Sequence, residues 1–207
     1  MALKMTMFSD FICPFCYIGH TTMHKVAPEF DIEIEWRGFE IHPEWPAAGV
    51  PAERVFGAMS TEMRKGVWNR IATMASDAGI TMNPPSVLTN SHSALLAAEF
   101  AKDAGKGREF EVRVYRAYFE EGVNIGDLEV LKRLAADVGV DSAQMIEAIG
   151  WPGYENRLRE SLNEGRERGV SGVPTFFINE FPFVGAQSED VVRSILARVS
   201  ERFGAAK

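Results

Sequence analysis

The chain opens on a strict alternation: Leu3, Met5 and Met7 are interleaved with Lys4, Thr6 and Phe8, the period-2 pattern of a strand. A helical stretch follows from Cys13 to about Ala27, where Pro28 ends it. Ile32, Ile34 and Trp36 then alternate with Glu33, Glu35 and Arg37, and so charged a face suits a strand at a sheet edge. Strand, helix and strand in so short a span make a βαβ unit, for which a right-handed parallel crossover is strongly favoured.

Residues Glu40 to Ala52 carry Pro43, Pro46, Pro51 and Gly49, and read as a connecting loop and a natural boundary. From there to about Gly169 the pattern gives no convincing strand. Helical periodicity covers roughly 53–78, 90–104, 107–121, 127–138, 141–149 and 154–168. Asn90, Asp127 and Asp141 stand where N-caps belong, and Gly105, Gly139 and Gly150 where helices end. In the third of these helices Phe110, Val114, Tyr115, Tyr118 and Phe119 share one face, which reads as core packing.

The chain then returns to β. Thr175 to Ile178 and Phe181 to Val184 flank Asn179-Glu180 as a hairpin, with Pro182 confining the second strand to an edge. Ser188 caps a final helix with Glu189 and Asp190 in its first turn, an apolar face of Val191, Val192, Ile195, Leu196 and Val199, and Gly204 to close it. Arg198 and Arg202 complement its C-terminal end. The order is thus βαβ, a long helical segment, then ββα: an α/β chain with residues 53–169 inserted between 1–52 and 170–207.

Composition narrows the function classes. The 207 residues are 46% apolar and carry a net charge of −7, so a proper core is available and no basic footprint for nucleic acid or anionic membrane exists. No apolar run approaches the roughly 20 residues of a membrane span, and the N-terminus lacks the apolar core of a signal peptide. A cytoplasmic location is expected, where thiols are kept reduced.

That matters because the chain's two cysteines, Cys13 and Cys16, stand two residues apart where the first strand gives way to the first helix. Pro14 suits the first helical position, which makes Cys13 the N-cap, near unpaired N–H groups and the positive end of the helix dipole. Such a setting favours thiolate, the nucleophilic form, and Cys16 is at a spacing that can close a disulfide. A purely structural bridge is a weaker reading, since so short a loop removes only about 2 kcal/mol of unfolded-state entropy. A zinc site made by adding His20 and His24 fails on geometry: residues 13 to 24 of one helix span about 16 Å, too far for one tetrahedral ion. Two inert buried thiols would be the third reading. The strand–CxxC–helix context favours redox chemistry, with no metal and no cofactor called for.

Four stretches carry a resemblance: Asp10-Phe-Ile-Cys-Pro-Phe-Cys-Tyr-Ile-Gly19, Phe39-Glu-Ile-His-Pro43, Ala117-Tyr-Phe-Glu-Glu-Gly122 and Gly172-Val-Pro-Thr-Phe-Phe-Ile178. Over nearly its whole length the chain resembles the DsbA family of thioredoxin-fold oxidoreductases, and more closely its cytoplasmic FrnE-like branch of dithiol–disulfide isomerases. The resemblance implies a thioredoxin fold with a large helical insertion. It makes Cys13 the exposed attacking thiol, Cys16 the resolving thiol and Pro174 a cis-proline facing them. Val173 would offer backbone groups to an extended substrate, with Pro14 and Phe15 beside it. Implied partners are protein or small-molecule thiols and disulfides, glutathione being one candidate.

Two departures are visible. Secreted DsbA enzymes commonly carry His where this chain has Phe15, and the family's Ala-His-Arg-Leu stretch is here Asn90-Ser-His-Ser-Ala-Leu-Leu96. His92 is therefore read as a first-turn polar residue and His20 as a surface or packing histidine. Competing functions are a glutathione-dependent isomerase of the hydroxychromene-carboxylate type, which usually has Ser at the position of Cys13, and a non-enzymatic holdase or binding module. Loss of the histidine removes one thiolate partner while the helix N-terminus remains. The Cys13–Cys16 couple should then equilibrate with glutathione at about −180 to −230 mV, between the strong oxidants and thioredoxin. A potential below thioredoxin's would mark a reductase or an inert pair.

Overall fold

A strand covered on both faces needs apolar side chains on both, and β1 (Leu3–Ser9) supplies them: Met5, Met7 and Phe8 are all fully buried. The computed structural model describes residues 3–203 of the chain. β1 pairs in parallel with β2 (Ile32–Gly38), from Leu3 opposite Ile32 to Ser9 opposite Gly38. On its other side it pairs antiparallel with β5 (Thr175–Ile178), Met5 opposite Ile178 and Phe8 opposite Thr175. β6 (Phe181–Val184) completes the order β2-β1-β5-β6. The charged strand and the Pro182 strand are therefore the two edges, as their side chains require. Asn179 adopts the left-handed conformation (φ 52°) in the hairpin turn. This is the βαβ and ββα arrangement of a thioredoxin fold.

The first helix, α1 (Pro14–Val26), starts after Cys13 as the capping pattern predicts and passes into a 3₁₀ turn, Ala27–Phe30, that contains Pro28. Between β2 and β5 lie β3 (Val50–Pro51), α2 (Ala52–Phe56), α3 (Thr61–Asp77), β4 (Val87–Leu88) and α4 (His92–Asp103). They are followed by α5 (Gly107–Phe119), α6 (Leu128–Asp137), α7 (Ser142–Ile149) and α8 (Pro152–Glu167). The long helix expected over 53–78 is two helices, because Ser60 caps a new start with its hydroxyl accepting from the Met63 N–H at 3.1 Å. The segment does contain strand: β3 and β4 pair as a two-residue ladder, too short to show alternation. Asp127 and Asp141 cap as expected. The N-cap of α4 is Ser91, not Asn90, whose side chain accepts from the His92 N–H at 2.7 Å. The last helix, α9 (Glu189–Phe203), packs against α1. It buries Val192, Leu196 and Val199 and leaves Val191 exposed, a narrower apolar face than the sequence pattern. Gly204 lies outside the described residues.

One continuous apolar cluster joins Met5, Cys16 and Phe176 to Ala75, Leu95, Tyr115, Leu131, Met145 and Leu158, so sheet and helical segment share a core. A smaller cluster of Phe8, Val170 and Phe177 covers the opposite side of β1. The aromatic face of α5 is core, as its pattern indicated: Phe110, Val114, Tyr115, Tyr118 and Phe119 are all buried.

Gly19 in the middle of α1 is explained by space. A Cβ there would lie 3.1 Å from Pro174 Cγ and 3.2 Å from Phe176 Cζ. Alanine would gain about 1 kcal/mol of helix propensity, whereas overpacking against two rings costs about 1–3 kcal/mol. The second effect wins. Gly19→Ala should lower the urea midpoint, and a midpoint equal to or above wild type would show that the Pro174 loop yields freely.

Candidate functional site

At the C-terminal end of β1 the chain makes a tight turn, closed by the Cys13 N–H donating to the Asp10 carbonyl at 3.3 Å, and enters α1. Cys13 is the extended N-cap residue (φ −89°, ψ 118°) and Pro14 opens the helix. Both cysteines are free thiols, and burial separates them. Cys16 is fully enclosed, its sulfur accepting from the Asp10 N–H at 3.5 Å. Cys13 keeps 7% of its surface, less than the expected exposed thiol, because its Sγ donates to the Val173 carbonyl at 3.5 Å. The Val173–Pro174 peptide is cis.

The two thiols are held apart in acidity. Cys13 is lowered from its ordinary value, chiefly by the hydrogen bond from Cys16, with further help from the backbone N–H groups of Cys16 and Phe15. Burial and the Asp10 charge oppose this. Cys16 is raised well above the usual thiol range, first by burial and then by its partner. His20 is not among the main groups acting on either thiol, so it does not replace the histidine missing at Phe15. It is buried rather than at the surface, and bonds Glu111. His92 bridges Glu40 (3.3 Å) and Glu155 (3.0 Å), and those carboxylates raise its pKa, Glu40 foremost.

Asp10 escaped the sequence reading as a site residue. Its carboxylate is fully buried and accepts from the N–H groups of Ile12 (3.3 Å) and Ile41 (2.8 Å), with the Ser91 hydroxyl close by. Burial nonetheless pushes its pKa from 3.8 up to about 6. A carboxylate three residues before the first cysteine was visible, but nothing in a sequence tells that it is enclosed.

Cys13, Pro14 and Phe15 open onto a cavity of about 600 Å³. Ile41, His42 and Trp45 line it from the loop after β2, Phe56, Met59, Trp68 and Ile71 from α2, α3 and their link, and Pro84, Pro85, Leu88 and Phe119 complete it. Ile41 and His42 thus bring the Phe39–Pro43 loop to the cavity beside Cys13, and Ser91, the N-cap of α4, stands beside Asp10. Phe15 is 37% exposed at the mouth, and Arg64 and Lys65 supply cations among the lining.

Residues 4–197 match the profile of the DSBA-like thioredoxin domain. The chain belongs to that family. This DSBA-like chain is 30% identical over 201 residues to the uncharacterized protein YwbO of Bacillus subtilis (strain 168), covering 95% of this chain and 97% of that one. It is 24% identical to the 2-hydroxychromene-2-carboxylate isomerase of Sphingobium xenophagum, over 95% and 99% of the two chains. In three dimensions it resembles the probable DsbA oxidoreductase SCO1869 of Streptomyces coelicolor, with a TM-score of 0.90 at 22% identity over 99% and 93% of the chains. A DSBA-like fold supports the thiol–disulfide oxidoreductases and related isomerases or transferases as the functional class. Among the described residues no helix is long and apolar enough to cross a membrane.

Asp10 yields a prediction. Its folded pKa of about 6 lies above the unfolded value near 3.8, so the folded state holds the proton more tightly. Its contribution must fall as pH rises from about 4 past 6, by about 3 kcal/mol at roughly 1.4 kcal/mol per pKa unit. In Asp10→Asn that decline disappears, although asparagine offers only one oxygen to two N–H donors. Denaturant titrations at pH 4 to 8 should show the stability gap between the two proteins shifting in the mutant's favour. The Cys13 thiolate should also titrate lower in the mutant. Parallel pH profiles would reject the buried-acid assignment.

Proposed function

We propose that this chain is a thiol–disulfide oxidoreductase or isomerase that works through Cys13 and Cys16, on protein or small-molecule dithiols and disulfides. The observation that carries this reading is the asymmetry of the two thiols. The acidic one stands at a helix start beside a cavity, and the weakly acidic one is enclosed behind it. The Cys13 thiolate attacks a substrate disulfide, forming a mixed disulfide and releasing one substrate sulfur as thiolate. Cys16, losing its proton, then attacks the Cys13 sulfur. The Cys13–Cys16 disulfide forms and the second substrate thiolate leaves. Run backwards, the same steps oxidise a dithiol, and stopping after the first permits isomerisation.

Val173 and Pro174 serve in this reading as the backbone shelf for an extended substrate, with Pro14 and Phe15 flanking the reacting sulfur. Residues 53–169, taken as an insertion into a thioredoxin-like domain of 1–52 and 170–207, provide much of the apolar cavity wall and hence the selection of substrate. The cavity, about 600 Å³, is within the roughly 300–1,000 Å³ range of small-molecule pockets.

A second reading, a glutathione-dependent isomerase, draws on the likeness to the 2-hydroxychromene-2-carboxylate isomerase and on the apolar cavity beside position 13. The two separate on the buried thiol. For an oxidoreductase, Cys13→Ser should abolish insulin reduction and reduced-RNase refolding. Cys16→Ser should accumulate mixed disulfides with substrate, visible on non-reducing gels. Undiminished exchange in Cys13→Ser would remove Cys13 from the reaction, and turnover of a hydroxychromene carboxylate by Cys16→Ser at the wild-type rate would favour the isomerase.

A further inference from the structure

Away from the thiols, α1 and α5 bring together three side chains that the exchange chemistry does not use. His20 and His24 are one helical turn apart on α1, with their rings 4.3 Å apart, and Glu111 faces them from α5. Glu111 Oε2 lies 3.0 Å from His20 Nε2, and one donor atom from each of the three residues falls within 4.8 Å of the others. We propose that His20, His24 and Glu111 form a binding site for one divalent transition-metal ion of the zinc class, entered from the cleft beside α1 and α5.

A buried ion pair explains part of this cluster. Glu111 is 3% exposed and His20 1%, and each satisfies the other. It does not explain a second imidazole held against the first. His24 Nε2 is closed off from solvent with no hydrogen-bond partner in the protein, an arrangement that buried polar groups seldom keep without a ligand. The spacing suits coordination. Donors about 2.0–2.1 Å from a tetrahedral ion lie roughly 3.4 Å from one another, so closing the cluster takes side-chain shifts of about 1 Å.

Two nitrogens and one carboxylate match zinc and its neighbours in softness and number, and leave a further position for water. Magnesium and calcium would require oxygen donors. Lys25, Arg108 and Arg116, in the wall of the same cleft beside Glu120, oppose any cation, so an ion that binds imidazole weakly would not be held. The cleft, about 600 Å³ in volume, is lined by His20 and His24, while Glu111 stands outside its lining on the buried side of the cluster. The candidate zinc set drawn from one helix failed on distance; this one replaces both cysteines with a carboxylate 91 residues from His20.

The test is calorimetry with zinc chloride on the full chain carrying Cys13→Ser and Cys16→Ser, so that no thiolate contributes. One zinc per chain should bind, magnesium should not, and adding His24→Ala should weaken binding at least tenfold, the low end of what loss of a supporting metal-site residue costs, about 10–100-fold. Cobalt(II) on the same serine chain gives a readout independent of any cluster variant: visible bands of a low-coordinate nitrogen and oxygen site are expected. Absence of zinc binding, equal binding after His24→Ala, equal binding of magnesium, or a cobalt spectrum identical to the hydrated ion would each overturn the assignment.

Discussion

The pairing of β1 with β5 is the constraint on which the rest of the molecule depends. It places the end of β1, where Cys13 begins α1, beside the entry to β5, where Val173 lies 160 residues further along the chain. Neither segment could make the site alone. The register is fixed from both faces, because Met5 and Met7 belong to the large core and Phe8 to the small one. A one-residue slip would exchange these sets and expose Thr6 to the core. Gly19 then admits Pro174 against the body of α1, so the loop that meets Cys13 is seated on the helix that Cys13 starts.

Within that frame the chemistry comes from unequal burial over a few ångströms. Cys16 is enclosed and resists ionisation, whereas Cys13 keeps the N–H groups of the first helical turn and a donor sulfur behind it. Burial alone would have raised both thiols. What separates them is that hydrogen bonds to the charged form outweigh desolvation at Cys13 and fail to do so at Cys16. Asp10 works against the thiolate from the same turn, and its own burial limits that opposition by keeping it partly protonated near pH 6. Phe15 brings no charge between the two cysteines, and no cationic side chain is among the main groups acting on Cys13.

The helical segment contributes rigidity as well as a wall. Tyr115 is stacked on Tyr17 at 5.1 Å and meets Phe11 edge-on at 5.0 Å, while its hydroxyl bonds Ser9 at 2.6 Å. Phe11 in turn stacks on Trp36 of β2 at 5.0 Å. These contacts fasten α5 to both sides of the turn that carries Cys13, through Ser9 and Phe11 before it and Tyr17 after it. Such aromatic pairs add roughly 0.5–1.5 kcal/mol each beyond their buried area.

The sequence by itself determined the elements whose signals are local: the alternation of β1 and β2, the hairpin about Asn179-Glu180, and the caps at Asp127, Asp141 and Ser188. It also determined the strand–Cys13–Pro14–Cys16–helix unit, since a capping position and a thiol spacing are properties of adjacent residues. Local rules reached their limit at Ser60, where one periodic stretch became two helices, and at Val87–Leu88, where two residues suffice for a ladder but not for a pattern. Only the tertiary structure decided that Val173 meets Cys13, that Asp10 is enclosed, that Trp68 and Phe56 share a cavity with the thiol, and that Glu111 closes on His20 and His24. All four depend on contacts between segments far apart in sequence. Burial and proximity of that kind are set by how elements pack together, and no window along the chain contains them.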